Sequence, residues 1–518
     1  MRSHLLLLAR GLGSEAAAKF GPVKELRKQL QSLSLRLSVA QPHELSQLKE
    51  QQSQLRQELR NHLTGGVERR WWRRSGTPRG TADMAEPRQL RELRSLVEAF
   101  SSTAQLYGAR PLRTPLIHFD EVLLGAEEEE GSAKEVYRLQ SLHGEDVSLR
   151  FDLTVPFARY LAESNRRSDR RFQIGSVLRR ENPSPSTGRY AEFLQADLDI
   201  AGPSAGMSAE WECLCFASDA LTAMGFPEHS ICWSHRGLLE ALLSWAGVES
   251  SQLSQVATSL DKLERSPWNK VAEELSSKEG LTPDTVNNLA SLFQSTKSLD
   301  EIRNHTAMAG RDGLQKELDE LLALAGEEEK LERRLRFDQR LARGLAYYTG
   351  LVFELRIDGE SGGSVGGGGR YDKLISEFLP GAKVQPIRAV GVSLGLSRLL
   401  RLRMLQLENK ETVGVARASV AVISPHAGLL SQRLAMTRFL RLHGISAICS
   451  LQENPGLLRQ LGFAEAEAIP LGLVFGAGEL ENDLVKLRRI ADRSERFLPR
   501  QQLLPELKAE LRELGAEQ

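Results

Sequence analysis

The chain has 518 residues, a length that accommodates about two to four domains and excludes a single small module. Hydrophobic residues make up 41% and charged residues 26% of the chain, which excludes wholesale disorder and the fibrous classes. The 68 basic and 68 acidic residues cancel, so a nucleic-acid partner would have to be bound by local basic surface.

The first residues and the cysteines bear on the compartment. The N-terminal segment carries Arg2 and Arg10 and no acid before Glu15, a weak match to a mitochondrial transit peptide, with an ordinary disordered terminus as the alternative. The four cysteines show no repeated C-x-x-C spacing, which argues against a zinc site or a disulfide scaffold and favours a reducing compartment. We therefore expect a cytoplasmic protein, with the mitochondrial matrix left open. No apolar run approaches the ~20 residues of a membrane span, so no membrane partner is expected.

Residues 1–63 are predicted to form an N-terminal extension folded as a helical hairpin. Leucines recur at helical spacing on both sides of Pro42, and two helices joined there would bury the stripes against each other. A solvated coiled segment is the alternative. Such a hairpin would bind a nucleic acid through basic faces or pair with helices of another protein.

Residues 64–85 are predicted to be a basic linker. Trp71 and Trp72 lie among four arginines in the sequence RRWWRR, a combination that can contact phosphates and stack on bases. The alternative is that both tryptophans pack against the next domain.

Residues 86–410 mix helices and strands. Apolar residues at helical spacing predict a helix over residues 88–107. Residues 228–334 are rich in Leu, Ser, Glu and Lys and show no strong strand pattern, which predicts a helical insertion. Residues 415–518 alternate as β-α-β-α-β, which predicts a separate domain with a parallel or mixed sheet.

Two stretches place acids in apolar, strand-like surroundings. Asp152 and Thr154 interrupt an apolar run and could bind an ammonium group, although an acid at this place is also typical of a helix N-cap. Gln195, Asp197 and Asp199 are spaced to share one face of a strand, where they would either face water or, if buried, bind a cationic ligand or form salt bridges.

Three further features suggest phosphate binding or close approach to a ligand. Arg179 ends a strand beside a Pro/Ser/Gly loop and suits a phosphate through its bidentate fork. Arg343 precedes Tyr347 and Tyr348, and a glycine run at residues 366–369 follows, although glycines alone are a weak signal. Arg398 lies on an apolar helix, where a snorkelling surface arginine is the alternative.

Five segments in this order resemble the histidyl-tRNA synthetases, a class II aminoacyl-tRNA synthetase family, and its eukaryotic type most of all. They are RFDLTVPFARYLA, RRENP with GRYAEFLQADLDIAG, ARGLAYYTG, GGGRYD and GVSLGLSR, within a match running from residue 79 to about residue 490. The resemblance implies an α+β catalytic domain with an antiparallel sheet and flanking helices, a helical insertion and a C-terminal α/β anticodon-binding domain. It also implies a histidine–tRNA ligase that uses ATP and Mg²⁺, binds L-histidine and tRNA(His), and forms a homodimer through the segment around Pro115.

The resemblance assigns a role to each of the candidate residues. Histidine would be bound by Asp152, Thr154 and Gln195 around its amino group and by Asp199, Tyr347 and Tyr348 around its imidazole. The catalytic arginines would be Arg179, on the ATP α-phosphate, and Arg343, beside the reacting carboxylate. Glu181 would also belong to the ATP site, with Arg398 at the γ-phosphate. No protein metal ligand is implied.

The chain departs from the family pattern at three positions. Ala346 replaces the acid of the usual RGLDYYTG, Ser397 stands where a glutamate is usual, and Ala191 stands where a basic residue is usual. Two other interpretations therefore stay open. The first is a catalytically inactive synthetase-like paralogue that binds tRNA or histidine in a regulatory role, and the second is a structural interaction protein.

Overall fold

The computed structural model describes residues 29, 32, 48, 51, 54, 55, 77, 78 and 80–514, apart from 125–135, 140–143, 165, 181–182, 184–187, 265, 342–346, 360–362, 380–385 and 409–416. The predicted N-terminal hairpin and the Trp71–Trp72 pair lie almost wholly outside the described residues. Among the described residues, no helix is both long and apolar enough to cross a membrane.

The larger part of the chain, up to Glu408, combines strands and helices. Its strands are β1 Arg110–Pro111, β2 Ile117–Phe119, β3 Tyr137–Leu139, β4 Val147–Leu149, β5 Asp169–Leu178, β6 Glu192–Ala201, β7 His229–His235, β8 Leu335–Phe337, β9 Leu351–Ile357, β10 Gly366–Arg370 and β11 Ala389–Gly395. Its helices are α1 Pro87–Leu106, α2 Asp120–Leu124, α3 Thr154–Glu163, α4 Ser208–Ala223, α5 Arg236–Ala246, α6 Leu253–Asp261, α7 Trp268–Ser277, α8 Pro283–Phe293, α9 Leu299–Arg303, α10 Asp312–Gly326, α11 Glu329–Glu332, α12 Leu374–Glu377 and α13 Leu396–Glu408.

Eight of these strands form one sheet in the order β1-β5-β6-β11-β10-β9-β7-β8. The pairs from β5 to β7 are antiparallel, and only the edge pairs β1–β5 and β7–β8 are parallel. The predicted antiparallel sheet with flanking helices is therefore confirmed. Strands β2, β4 and β3, in that order, form a separate small antiparallel sheet.

The two faces of strand β6 have different roles. Ala196 and Leu198 belong to the main hydrophobic core, together with Phe100 of α1 and Phe216 of α4. The rings of these two phenylalanines pack edge to face, 5.4 Å apart. Because side chains alternate along a strand, Gln195, Asp197 and Asp199 lie on the opposite face.

The segment that the sequence predicted as helical from about residue 228 begins instead with a strand. His229–His235 is β7, which pairs with β9 on one side and with β8 on the other. Its partners lie more than 100 residues further along the chain, so local sequence texture does not reveal the pairing. Helices follow from Arg236 onward, and helix α1 agrees with the predicted helix over residues 88–107.

The C-terminal part forms a five-stranded mixed sheet. Its elements are β12 Val420–Ile423, α14 Leu430–Leu442, β13 Ala447–Cys449, α15 Leu457–Ala466, β14 Leu471–Val474, α16 Ala477–Glu481, β15 Leu484–Arg489, β16 Glu495–Pro499 and α17 Leu503–Glu513. The order is β13-β12-β14-β15-β16, with parallel pairing among the first three strands. The predicted β-α-β-α-β pattern is confirmed, and the two antiparallel strands that follow were not predicted.

A fully buried arginine joins two loops of this C-terminal sheet. Arg433 of α14 donates to Ser424 Oγ at 2.5 Å and to the carbonyl of Gln452 at 2.6 Å. Gln460 reinforces the same point by donating to the carbonyl oxygens of Ser424 and Pro455, at 2.8 and 3.1 Å. The loops that follow β12 and β13 are therefore held together at the carboxyl ends of these strands.

Candidate active site

Glycines flatten the polar face of the large sheet where β6, β11 and β10 meet. Gly391 of β11 lies directly between Asp199 of β6 and Gly369 of β10. A Cβ atom on Gly391 would overlap the Asp199 carboxylate, and one on Gly369 would lie 2.9 Å from the Tyr348 ring. The absence of these side chains leaves room for a ligand to approach the backbone closely.

A cluster of buried acids borders this glycine floor. Asp152, Asp197 and Asp199 are at most 4% exposed. Gln195 donates from Nε2 to both oxygens of Asp197, at 2.9 and 3.1 Å, and the Tyr371 hydroxyl donates to Asp199. The arrangement brings together three of the predicted histidine ligands, Asp152, Gln195 and Asp199.

Burial raises the pKa of each of these carboxyl groups. Desolvation raises the pKa of Asp197 to about 7 and that of Asp152 to about 6. Desolvation, followed by repulsion from Asp197, holds the pKa of Asp199 well above its usual value. A cation bound among the three would favour their ionised forms, so the cluster is suited to a positively charged ligand.

The two oxygens of Asp152 have different surroundings. Oδ1 accepts a hydrogen bond from the Val155 amide at 3.2 Å, in the first turn of α3. This oxygen therefore serves the first turn of the helix, although the N-cap residue is Leu153 rather than the predicted Asp152. Oδ2 is buried and has no hydrogen-bond partner among the described residues, which leaves it available to a ligand. Thr154, the first residue of α3, is buried beside it.

Tyr347 and Tyr348 enter the site just before β9. Their ring centroids lie 4.7 Å apart with the planes tilted by 59°, and Tyr347 is 6.3 Å from the ring of Tyr371. Burial raises the pKa of both hydroxyls above the usual value. Both phenols therefore stay protonated at neutral pH and can donate hydrogen bonds.

The described arginines of the predicted ATP site are anchored to the protein. Arg179 donates from Nε to the carbonyl of Phe151 at 3.0 Å, and its guanidinium lies 5.2 Å from the centre of the Phe193 ring. Arg398, half-buried at the start of α13, donates to the carbonyl of Ser364, so it is not a snorkelling surface residue. Glu181, Arg343 and the substituted position Ala346 lie outside the described residues.

Sequence reasoning missed several residues that support the acid cluster. Ser393 lies opposite Asp197 and accepts from Gln195 at 3.2 Å. The buried Arg150 donates to the carbonyls of Ser176 and Thr114, at 2.9 and 3.0 Å, and fills the space that a side chain at Gly175 would need. Gly175 inside strand β5 was the available signal, since an interior glycine often marks a close approach.

The other two departures from the family pattern have local structural explanations. Ser397 accepts a hydrogen bond from the Leu194 amide at 3.0 Å and so ties α13 to β6. Ala191 is buried, and its Cβ is 2.8 Å from the place that a side chain at Gly80 would occupy. The small side chain of Ala191 lets the Gly80 backbone approach closely, and the Ala191 amide donates to the Gly80 carbonyl at 2.7 Å.

The donor set does not form a protein metal cage. Within the described part of the chain, no group of three or more His, Cys, Asp or Glu side chains is arranged to hold a metal ion.

Comparisons with known proteins agree with this geometry. A family model described as histidyl-tRNA synthetase matches residues 80–399, and an anticodon-binding-domain model matches residues 418–510. The chain belongs to the histidyl-tRNA synthetase family. The resemblance drawn from the sequence motifs is thereby confirmed, and the chain is an aminoacyl-tRNA synthetase.

Three relatives show how far the similarity extends. Histidine–tRNA ligase from Caenorhabditis elegans is 34% identical over 83% of this chain and 86% of the relative. The mitochondrial enzyme from Bos taurus is 33% identical over 84% and 88%, and the cytoplasmic enzyme from Dictyostelium discoideum is 33% identical over 83% and 90%.

The crystal structure of histidyl-tRNA synthetase from Nostoc has the same fold. It superimposes with a TM-score of 0.64 at 24% identity and covers 84% of this chain and 99% of the Nostoc chain.

Proposed function

We propose that this protein is a histidine–tRNA ligase, which activates L-histidine with ATP and transfers it to the 3′-terminal adenosine of tRNA(His). The observation that carries the proposal is the cluster of buried carboxylates on a glycine floor, with one oxygen of Asp152 left unpartnered. Histidine carries a positive charge on its amino group, and a bound positive charge would stabilise the ionised carboxylates of this cluster. Membership of the histidyl-tRNA synthetase family indicates that the reaction is the attachment of histidine to tRNA.

In this proposal the amino group of histidine binds at Asp152, Thr154 and Gln195. Asp199, Tyr347 and Tyr348 face the imidazole, with Tyr371 holding Asp199 in place. The two tyrosine hydroxyls would donate to the ligand, and the carboxylates would accept from it. The imidazole has both a donor and an acceptor nitrogen, so a site that presents both kinds of group discriminates against apolar amino acids.

The adenylation step would depend on arginines. The histidine carboxylate attacks the ATP α-phosphorus, the bond to the bridging oxygen breaks, and pyrophosphate leaves. Arg179 and Arg343 would contact the α-phosphate, Glu181 would complete the nucleotide site, and Arg398 would bind the γ-phosphate end. Negative charge grows on phosphoryl oxygens in the transition state, so preorganised arginines lower the barrier.

Mg²⁺ is expected as the partner of the ATP phosphates. The described side chains do not form a cage for it, and this ion commonly keeps several waters and binds mainly through substrate phosphates. No step proposed here depends on a protein ligand to the metal.

The second step transfers histidine from the adenylate to tRNA. The terminal ribose hydroxyl attacks the carbonyl of histidyl-adenylate, AMP leaves, and the anticodon-binding domain holds the other end of the tRNA. We divide the chain into an extension at 1–63, a linker at 64–85, a catalytic domain at 86–410 and the anticodon-binding domain at 415–518. A homodimer that works in the cytoplasm, the mitochondrial matrix or both completes the proposal.

The test is histidine-dependent ATP–pyrophosphate exchange by the purified protein, with the other nineteen standard amino acids as controls. Exchange with histidine alone is expected. Arg343→Ala should lower the exchange rate by about 10²- to 10³-fold, by analogy with the loss of one preorganised donor elsewhere, while the protein stays folded. Folded wild-type protein that binds ATP without catalysing exchange would favour the regulatory paralogue instead.

A further inference from the structure

Three strands of the large sheet meet at the end where the two tyrosines enter. β10 ends at Arg370, β7 ends at His235, and β9 begins at Leu351, directly after the segment Tyr347–Gly350. The backbone fastens this segment to both neighbours. Thr349 N donates to the carbonyl of Arg370 at 2.7 Å, and Arg236 N donates to the carbonyl of Gly350 at 2.8 Å.

Glu317, from helix α10 of the helical insertion, contacts both strand ends with one carboxylate. Its Oε1 lies 3.0 Å from Arg370 Nη1, and its Oε2 lies 3.1 Å from His235 Nε2. The two partners are largely buried, with 16% and 5% of their side chains exposed. This carboxylate therefore joins the insertion to the catalytic sheet at the point where β10 and β7 end.

The hydrogen bond made by His235 Nδ1 shows which atom donates in the contact between His235 Nε2 and Glu317. Nδ1 accepts from the Gly237 amide at 3.1 Å and caps helix α5. That nitrogen carries no proton, so the proton of the neutral ring is on Nε2 and is donated to Glu317. The ring thus connects β7, α5 and α10. The contacts with His235 and Arg370 also lower the pKa of Glu317 to about 2, so Glu317 is ionised at neutral pH.

Arg370 also contacts the segment that carries the two tyrosines. Its aliphatic chain lies against Gly350, where an added Cβ would be 2.8 Å from Arg370 Cδ. Asp372 accepts from Arg370 Nε at 2.6 Å, and its own amide donates to Thr349 Oγ1 at 3.2 Å. Tyr348 in turn lies over Gly369, the residue before Arg370. The Arg370 side chain is therefore in contact with the tyrosine segment both directly, at Gly350, and through Asp372.

We propose that Glu317 is a positioning residue of the histidine site, which acts from the insertion through Arg370 and His235 on the segment that carries Tyr347 and Tyr348. The inference rests on the proposed function, because it takes histidine as the ligand of that segment. Glu317 itself does not touch the substrate. Its loss leaves Arg370 with Glu210 and Asp372 as partners and removes this link between α10 and the tyrosine segment.

The experiment compares Glu317→Gln and Glu317→Ala with wild type in the full chain. Glutamine keeps an acceptor for His235 and removes the charge facing Arg370, whereas alanine removes both contacts. Asp319→Asn is the matched control, because Asp319 is on the same helix and pairs with Arg303 inside the insertion. Michaelis constants for histidine and ATP are measured by pyrophosphate exchange, histidine affinity by calorimetry, and folding by thermal denaturation.

The expected result is a rise in the histidine KM and Kd of about 3- to 30-fold, larger for alanine than for glutamine, the range found for residues that act through a packed network. The ATP KM and kcat should stay within about twofold, and Asp319→Asn should behave as wild type. Thr349→Val should combine with Glu317→Gln less than multiplicatively, because both act through Arg370.

Two results would overturn the inference. One is an unchanged histidine affinity in both Glu317 variants. The other is a parallel loss of ATP and histidine binding together with a lowered denaturation temperature, as expected of a purely structural residue. Wild-type protein that binds histidine without exchange refutes the proposed reaction, and calorimetry then still decides the role of Glu317. Wild-type protein that does not bind histidine refutes both.

Discussion

Gln195 uses its side-chain nitrogen entirely within the protein. Nε2 donates to both oxygens of Asp197, at 2.9 and 3.1 Å, and to Ser393 Oγ at 3.2 Å. An amide nitrogen has two protons, so neither is left for a ligand. The amide oxygen is the atom that Gln195 can offer to histidine, and this matches the donor character of the histidine ammonium group.

We predict that histidine stabilises the protein more at pH 7.5 than at pH 5.5. The folded-state pKa values of Asp152 and Asp197 are raised, to about 6 and about 7, above the ordinary value of 3.8. The folded protein thus binds protons that the unfolded chain releases, so this contribution to stability is present at low pH and is lost as the pH rises from about 4 to about 7. The positive charge of bound histidine stabilises the ionised carboxylates and so offsets this loss of stability.

Thermal denaturation with and without saturating histidine, at several pH values, measures the effect. In Asp197→Asn the decline of apo stability between pH 4 and pH 7 should become shallower. An equal shift of the denaturation temperature by histidine at both pH values would contradict the prediction.

We predict that Tyr371→Phe weakens histidine binding by about 10- to 100-fold. The Tyr371 hydroxyl donates to the buried Asp199, and a hydrogen bond to a charged group contributes about 1.5–3 kcal/mol. Tyr107→Phe is the matched control, since Tyr107 also donates to a carboxylate, Asp219 at 2.6 Å, on the face covered by α1 and α4. The KM for histidine in pyrophosphate exchange is the readout, and similar values for the two variants would refute the role of Tyr371.

We predict that Gly391→Ala abolishes most adenylation and lowers stability by about 1–3 kcal/mol, as expected for overpacking. The added methyl group would overlap the Asp199 carboxylate. Gly395→Ala on the same strand gives the comparison for stability, because its Cβ would be 3.4 Å from the nearest carbonyl oxygen, an ordinary contact. Denaturant unfolding and exchange activity are measured together. Equal stability losses for both variants would show that the crowding at Asp199 is unimportant.

We predict that Arg433→Met loosens the C-terminal domain and leaves histidine activation intact. The substitution leaves the buried hydroxyl of Ser424 and the part-buried carbonyl of Gln452 without their donor, at a cost of about 1–3 kcal/mol. Hydrogen exchange should quicken for amides of β12 and β13 and stay unchanged in β6 and β11. The exposed Arg438→Met on the same helix is the control. Loss of histidine-dependent exchange in Arg433→Met would contradict the prediction.

The sequence predicted best what depends on local pattern and on motifs. Helix α1 follows from its apolar spacing, and the alternation of Gln195, Asp197 and Asp199 correctly places all three on one face. The family motifs located Asp152 and the two tyrosines. The roles of these residues in binding histidine and ATP remain predictions until the substrates are tested.

The contacts that sequence could not reveal are those between distant segments. Strand β7 is defined by partners beyond the insertion, and Arg150 reaches the site only because Gly175 leaves space for it. The Glu317 contacts likewise join residues 82 and 53 positions apart. Local sequence does not identify the partners in these contacts, because tertiary packing decides them, although Gly175 by itself signals a close approach.

The order of strands in the large sheet has a consequence for biosynthesis. β6 pairs with β11, so Asp199 meets Gly391 only after the ribosome has translated the whole insertion. Until then one edge of β6 has no partner, and such edges are prone to join other chains. Asp197 and Asp199 are not yet buried in the nascent chain, so they are ionised there, and their charges oppose pairing of β6 with another chain. We therefore expect the acids of the binding site also to act as gatekeepers, which keep the nascent chain soluble until β11 arrives.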